Sequence, residues 1–330
     1  MNDRVSQSLG APGSELDPKT WETARRYVQH VGDPHRLFVS GIRALRALQP
    51  GETAFVEHDA IVTLFRSESV KTILFHAAKA LCPERFSGEQ ISGRDLLLAF
   101  KPDQLCGVIA SAYLFRLVGR KVDRKIWEAL WVEIESQMET GVLVGRTIPS
   151  IGACPALVMG AVRYIAMSLF SVGDERGFKA YRRELEQHSR LFDLKHEVAT
   201  WGCSHLQIAS LCLQSLGFGI SAANGVCMPR VGLAGATMET LQWYAARRWI
   251  ESLIETESAP EEFGEKSPFH PADALAFADL QRGVERIYSQ ERGFNWIEKG
   301  RGDLEQEVIK QLRFAATAKA RPSEAPLKAE

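Results

Sequence analysis

The chain has 330 residues, of which 45% are hydrophobic and 25% charged, a composition typical of a globular protein that needs no disulfide or metal to hold its core. Forty basic residues against 41 acidic ones leave a net charge of −1, which excludes the basic excess that grips a phosphate backbone, so we expect no nucleic-acid partner. The first residues lack an apolar signal segment, and no uninterrupted apolar run is long enough to cross a membrane. The sequence therefore predicts a cytoplasmic protein with no membrane partner.

Helical patterns follow one another in the first half of the chain. Asp17-Pro18 is typical of a capped helix start with proline in the first turn. Apolar residues spaced i, i+3 and i+4 predict helices that begin near Ile61, Val70 and Leu105. Each of these patterns places apolar side chains on one helical face, as in a helix packed on a core.

The second half continues the helical pattern. Residues 155–170 are apolar on nearly all sides, which predicts a central buried helix that ends at Gly173 and is followed by a new cap at Asp174. A further helix is expected to begin at Ser204. Residues 259–271, rich in Pro, Glu and Ser, predict an exposed loop with two helices after it. No sustained two-residue alternation predicts strands, so the predicted fold class is all-α.

The cysteines give no sign of a metal cluster or of disulfides. None of them forms a C-x-x-C pair, and most lie in apolar helical context. They are Cys82, Cys106, Cys154, Cys203, Cys212 and Cys227. This usage predicts free, buried thiols, as expected in a reducing cytoplasm.

A set of motifs lies in a fixed order between residues 35 and 230. The set comprises Ile61–Phe65, Ser69–Ala80, Ile91–Phe100, Ile126–Leu130, Met159–Ala166 and a Glu-x-x-x-x-Gly-x-x-His spacing from Glu197 to His205. This order resembles the HDOD family, the HD-related output domain of bacterial signalling proteins. The resemblance rests on the spacing of the motifs along the chain.

The resemblance implies an all-α, multi-helix HD-like (HDOD) fold with an N-terminal helical lobe and an HD-like helical lobe. Residues 16–120 are expected to form the first lobe and residues 121–230 the second, with a C-terminal helical extension over 231–320. The two ends, residues 1–15 and 321–330, are rich in Pro and small or charged residues and are predicted to be disordered.

The position of the metal ligands departs from the HD pattern. An HD site requires an adjacent His-Asp pair, and Arg163-Tyr164 occupies the expected position. A guanidinium is always charged and repels a divalent cation, and tyrosine is a poor ligand at neutral pH. The resemblance therefore implies a scaffold without metal, cofactor or catalytic residues. The literal pair His58-Asp59 precedes a predicted helix, where we favour Asp59 as a cap or first-turn acid.

Three residues are candidates for binding a ligand. Arg163 and Tyr164 can form a charged, stacking pocket for the phosphate and base of a nucleotide. Alternatively, Arg163 pairs with a carboxylate on another helix while Tyr164 packs in the core, and we favour this interpretation. His205 is either a pocket residue or a residue that caps and packs the start of its helix, and we favour the second.

An aromatic and basic cluster lies on a predicted helix near residue 245. It contains Trp243, Arg247 and Trp249 together with Tyr244 and Arg248. Interleaved Trp and Arg can stack on bases, but the same composition is typical of protein interfaces. Because the chain lacks a basic excess, a structural or protein-contact role is expected.

The residues and the resemblance together favour a non-catalytic bacterial signalling or regulatory module that acts through protein–protein interaction. Partners in cyclic-dinucleotide or motility circuits are implied by the resemblance alone. Two alternatives remain open: a divergent HD-type nucleotide phosphohydrolase, and a sensor that binds a nucleotide without cleaving it. No Gly-rich phosphate loop and no Gly-x-Ser-x-Gly motif supports another class of enzyme.

Overall fold

The computed structural model describes residues 17–48, 52–85, 91–229, 233–256, 258–272, 276–289 and 312–313. Within these residues the fold is all-α, as the sequence predicts. The two terminal segments that are predicted to be disordered, 1–15 and 321–330, lie outside the described residues.

Fifteen α-helices occur in the described part of the chain. They are α1 (Pro18–Val31), α2 (Arg36–Ala47), α3 (Asp59–Phe65), α4 (Glu68–Leu81), α5 (Gly93–Leu98), α6 (Pro102–Gly119), α7 (Arg124–Thr147), α8 (Ala153–Ser168), α9 (Phe170–Gly173), α10 (Glu175–Gln187), α11 (Leu194–Trp201), α12 (His205–Ser215), α13 (Gly219–Cys227), α14 (Met238–Glu255) and α15 (Phe277–Ser289). Short 3₁₀ helices cover Ala54–Glu57 and Pro83–Arg85. Two-residue strands, β1 (Ile91–Ser92) and β2 (Leu312–Arg313), pair in parallel.

Helix starts follow local capping chemistry. The Asp17 carboxylate accepts a hydrogen bond from the Lys19 backbone N–H, with proline in the first turn, so this predicted start is confirmed. His58 is the cap of α3, because its ring accepts from the backbone N–H of Ala60, and Asp59 follows in the first turn. The predicted first-turn acid is confirmed, and the His58-Asp59 pair therefore has a structural explanation.

Helix α8 is the centre of the fold. It packs against α6, α7, α12 and α14, and all residues from Cys154 to Ser168 are buried. This confirms the predicted central buried helix. The stretch Ala153–Gly173 has the length and apolar composition of a membrane span, but 89% of its most apolar window lies inside the fold, as in the core helix of a soluble domain.

Two glycines allow α7 and α8 to pack with their backbones in contact. A Cβ atom at Gly160 would overlap the carbonyl oxygen of Gln137, and one at Gly141 would overlap the carbonyl oxygen of Ala156. Backbone atoms cannot move aside as a flexible side chain can. The close crossing of these two helices therefore requires that both positions lack a side chain.

The buried apolar residues of the described chain form one connected cluster that runs from Ala24 to Val284. The predicted boundary between the two lobes falls at the turn between α6 and α7, and the cluster continues across it. Five of the six cysteines are buried, Cys227 is half-buried, and none forms a disulfide, as the sequence predicts.

The segment between α14 and α15 differs in part from its prediction. It has no helix in its described residues, as expected for a loop, but Phe263 and Phe269 are buried in the core and contact each other. The Trp249 indole N–H donates to the Phe269 carbonyl at 3.0 Å. The polar composition of the segment gives no indication that Phe263 and Phe269 are buried. Of the two helices predicted after it, one is α15, and the other falls outside the described residues.

We expect Gly160→Ala to lower the free energy of unfolding by about 1–3 kcal/mol, because the new methyl group must force two helix backbones apart. Chemical denaturation followed by circular dichroism measures the effect. Gly173→Ala is the matched control: Gly173 is also helical, and a Cβ there meets nothing within 4 Å. The control should be neutral or slightly stabilising, since alanine favours helix. Equal stability of the two variants would contradict the close crossing.

Candidate functional site

The three candidate ligand-binding residues meet around one aromatic ring. Arg163 and Tyr164 on α8 and His205 at the start of α12 are 2%, 3% and 1% exposed. The half-buried ring of Phe192, in the connection between α10 and α11, has its centroid 4.4 Å from the Arg163 Cζ atom and 5.0 Å from the Tyr164 ring. It stacks on the His205 ring at 4.0 Å with the planes 22° apart. The structure therefore brings the three residues together, with Phe192 as their common contact.

A buried carboxylate fixes the orientation of His205. The Nδ1 atom lies 2.8 Å from Glu197 Oε2, which also accepts from the His205 backbone N–H at 2.7 Å. The Tyr181 hydroxyl donates to Glu197 Oε1 at 2.6 Å. Burial, followed by the nearby Glu197 carboxylate, raises the pKa of Tyr181 well above its usual value, so the phenol remains a neutral donor.

The Glu-x-x-x-x-Gly-x-x-His spacing has a local structural basis. Glu197 lies in the first turn of α11, and Gly202 ends that helix in the left-handed region with φ of 75°. Ser204 then caps α12 and forms a capping box with Gln207. This turn places the first residue of α12, His205, against the Glu197 carboxylate. The prediction that His205 packs at the start of its helix is confirmed.

One ring nitrogen of His205 remains available. Among the described residues, His205 Nε2 is buried without a hydrogen-bond partner. An imidazole whose Nδ1 is held by a carboxylate is the usual arrangement of a metal-ligating histidine, with Nε2 directed at the metal. His205 thus has the outer support of such a ligand.

The surrounding residues do not fit a metal ion. In the part of the chain that the structure describes, no group of three or more His, Cys, Asp or Glu side chains converges. Glu197 is engaged by Tyr181 and His205, and the Arg163 guanidinium lies on the same Phe192 ring as the imidazole. A fixed positive charge at this position opposes a divalent cation.

Arg163 pairs with a carboxylate on α14. Its Nη2 atom lies 3.2 Å from Glu251 Oε1, and Glu251 also lies 2.9 Å from Arg248 and 3.9 Å from Arg247. Burial by itself would raise the pKa of Glu251, but the three guanidinium groups lower it to about 2. The predicted pairing of Arg163 with a helix-borne carboxylate is confirmed. Its Nε and Nη1 atoms have no hydrogen-bond partner among the described residues.

Tyr164 packs in the core beside a second ion pair. Its ring lies 5.8 Å from the Arg182 Cζ atom, and Arg182 pairs with Glu133 on α7. Burial, with a further contribution from Glu133, raises the pKa of the Tyr164 phenol well above its usual value. Tyr164 is therefore a neutral core residue whose predicted packing is confirmed, whereas its role in ligand binding stays a prediction.

The aromatic and basic cluster of α14 is internal. Trp243, Arg247 and Trp249 are 2%, 7% and 0% exposed. Trp243 packs edge-on against Phe218, and Arg247 donates to the carbonyl of Met228. These contacts correct the expectation of a protein-contact role for the three residues, because their side chains lie in the core and not on a surface that a partner can reach.

A separate cavity of about 690 Å³ opens where α6 and α8 begin. Among its charged side chains, Arg46 pairs with Glu239, Asp103 accepts from the Cys154 backbone N–H at 2.9 Å, and Arg146 donates to the Leu81 carbonyl. Arg163, Tyr164 and His205 do not line it. The cavity therefore adds nothing to the chemistry around Phe192.

Two residues of the site were not predicted. Phe192 is a single aromatic in a connection, which no periodic pattern identifies. Glu251 had a usable signal, because a buried Arg163 requires an acid and Glu251 follows Arg247 and Arg248 by one helical turn.

Comparison with family models, curated proteins and solved structures finds no match for this chain.

We expect Glu251→Gln to destabilise the protein by about 3 kcal/mol at pH 7, because three guanidinium groups lose their shared carboxylate. The pKa of Glu251 is lowered in the folded state, from 4.5 to about 2, so its contribution is complete above about pH 4.5 and is lost as the pH falls towards 2. Urea denaturation of wild type and variant between pH 7 and pH 3 should show the difference narrowing below pH 4.5.

The control for this prediction is Glu22→Gln. Glu22 forms an i, i+4 pair with Arg26, but its side chain is 63% exposed, so the substitution should change stability by less than about 0.5 kcal/mol. A difference between wild type and Glu251→Gln that stays constant from pH 7 to pH 3 would show that charge is not the cause.

Proposed function

We propose that this chain is a non-catalytic regulatory module that acts by binding other proteins. The observation that carries the proposal is that Arg163 and His205 contact the same Phe192 ring: the histidine has the carboxylate support of a metal ligand, whereas a guanidinium and a phenol occupy the position at which the resemblance expects the His-Asp pair. Phosphate hydrolysis on such a scaffold needs a metal that generates hydroxide from bound water. One imidazole beside a fixed cation does not supply that site.

The resemblance to bacterial signalling proteins supports the kind of partner. We infer that the partners are signalling proteins of the cytoplasm, including proteins of cyclic-dinucleotide or motility circuits. Because Trp243, Arg247 and Trp249 are buried, the contact surface is expected to lie elsewhere on the domain.

A second candidate function, a sensor that binds a nucleotide, is favoured by one specific observation. Arg163 Nε, Arg163 Nη1 and His205 Nε2 are buried polar atoms without a hydrogen-bond partner in the described residues. Most buried polar groups in native proteins have such a partner, so these three call for an explanation.

Metal analysis of the purified full chain tests the non-catalytic proposal. We expect substoichiometric iron, manganese and zinc after growth with each metal, and no hydrolysis of p-nitrophenyl phosphate or of nucleotides in their presence. His205→Gln should leave both results unchanged. Stoichiometric metal, or hydrolysis that His205→Gln abolishes, would overturn the proposal.

Partner binding is tested separately by affinity capture from the native cell, followed by reconstitution with the purified candidate. A defined complex in gel filtration, formed without hydrolysis of any substrate, is the expected result. A chain that remains alone with every reconstituted candidate would contradict a protein-binding role.

A further inference from the structure

Arg163 Nε, Arg163 Nη1 and His205 Nε2 have no hydrogen-bond partner in the described part of the chain, and the ring that they surround cannot provide one. Arg163 and His205 are at least nine-tenths buried, and both contact the Phe192 ring. Phe192 covers their faces but offers no acceptor to their edges. The N–H groups of a guanidinium lie in its plane, and so does the lone pair on the Nε2 atom of an imidazole that is protonated at Nδ1, so the face of a stacked ring satisfies neither.

We propose that the Phe192 ring is a displaceable internal occupant of a slot formed by Arg163, Tyr164 and His205, and that the slot takes a nucleoside phosphate. The base would replace the phenylalanine ring, and the phosphate would accept hydrogen bonds from Arg163 Nε and Nη1. His205 donates to Glu197 through Nδ1, so its Nε2 atom would accept a hydrogen bond from an N–H or O–H group of the nucleoside. This ligand role rests on the second candidate function, the nucleotide sensor, and is independent of the protein-binding function proposed first.

The shape of the slot selects a flat ring. The group that now fills the slot, the Phe192 ring, is planar and aromatic. It stacks on the His205 ring with an angle of 22° between the planes, and its centroid lies 4.4 Å from the Arg163 Cζ atom. Both groups stack well on nucleobases, the imidazole through its ring and the guanidinium through its delocalised plane. A nucleobase therefore makes the same contacts that phenylalanine makes now.

The ion pairs of the cluster leave donors of Arg163 unused. Three guanidinium groups, those of Arg163, Arg247 and Arg248, face the carboxylates of Glu251 and Glu262, and the Glu255 carboxylate also interacts with Arg163, so these six side chains carry no net charge and a phosphate would be held by direct hydrogen bonds to Arg163. Glu251 contacts only the Nη2 atom of Arg163, so the other two nitrogens can bind a phosphate without breaking that pair.

A further carboxylate that opposes an anion here is that of Glu255, which interacts with Arg163. Its side chain accepts from the backbone N–H of Leu191, next to Phe192, at 3.1 Å. Burial, followed by repulsion from Glu251, raises its pKa.

The test compares nucleotide binding by the wild-type chain and by Phe192→Ala, using calorimetry with the full-length protein. The probes are AMP, GMP and a cyclic dinucleotide, with adenosine and inorganic phosphate as single-feature controls. In the wild type a ligand must first displace Phe192, which weakens its apparent affinity, so we expect Phe192→Ala to bind a nucleotide at least about tenfold more tightly.

Two further variants separate the slot from general effects. Phe38→Ala removes another half-buried ring, one that stacks on Tyr113, and should bind like wild type. Adding Arg163→Lys to Phe192→Ala keeps the positive charge but removes the planar fork, and should reverse the gain in affinity. Circular dichroism confirms that each variant is folded.

The proposal is overturned if folded Phe192→Ala binds none of the nucleotides at millimolar concentration, or if inorganic phosphate binds as tightly as the nucleotides. An equal gain in Phe38→Ala would also overturn it. None of these results bears on partner capture or on metal content, so the failure of the slot and the failure of the proposed protein-binding function are distinguishable.

Discussion

The buried guanidinium of Arg163 is the constraint on which the rest of the structure depends. A charge that is 2% exposed on an otherwise apolar helix requires a carboxylate, and Glu251 supplies it from α14. Glu251 is shared with Arg248, which also binds Glu262 at 2.7 Å. One ion network thus joins the central helix to α14 and to the segment after it, and the C-terminal part of the described fold is held to the core by charge as well as by apolar packing.

Local signals allowed much of the helical fold to be predicted. The start at Asp17 and the cap at Ser204 depend on hydrogen bonds within a few residues, so the sequence alone reveals them. The core anchors Phe263 and Phe269 could not be predicted in the same way, because most of their neighbours are polar and they are held by Tyr244 and Trp249 on another element, α14. The basic character of α14 was misleading for a related reason: Arg247 is buried and donates to the backbone carbonyl of Met228, a partner that the composition of α14 does not reveal.

In the candidate site too, contacts between residues close in sequence could be predicted, whereas contacts between distant residues could not. Local rules did not predict that Arg163 and His205 contact the same Phe192 ring, since no local rule links two helices so far apart in sequence. The support of His205 is local, because Glu197, Gly202 and His205 form one helix–turn–helix unit. Neither the order of the motifs nor a local sequence pattern identified Phe192. Its position depends on the conformation of the connection after α10, and a single aromatic in a connection is compatible with exposure or burial.

The two parts of the site, His205 with Glu197 and Arg163 with Glu251, have different physical explanations. Glu197 joins Tyr181 of α10 to His205 of α12, so the hydrogen bonds of the histidine serve the packing of three helices and need no ligand to explain them. Arg163 is different. An apolar side chain would fill its place at lower desolvation cost, since a buried ion pair is often no more stable than well-packed hydrocarbon. Its pairing with Glu251 explains one nitrogen of the guanidinium and leaves two buried donors facing an aromatic ring. An apolar residue at this position would remove these two donors. Their presence is the strongest reason to regard the surroundings of Arg163 as a ligand-binding site.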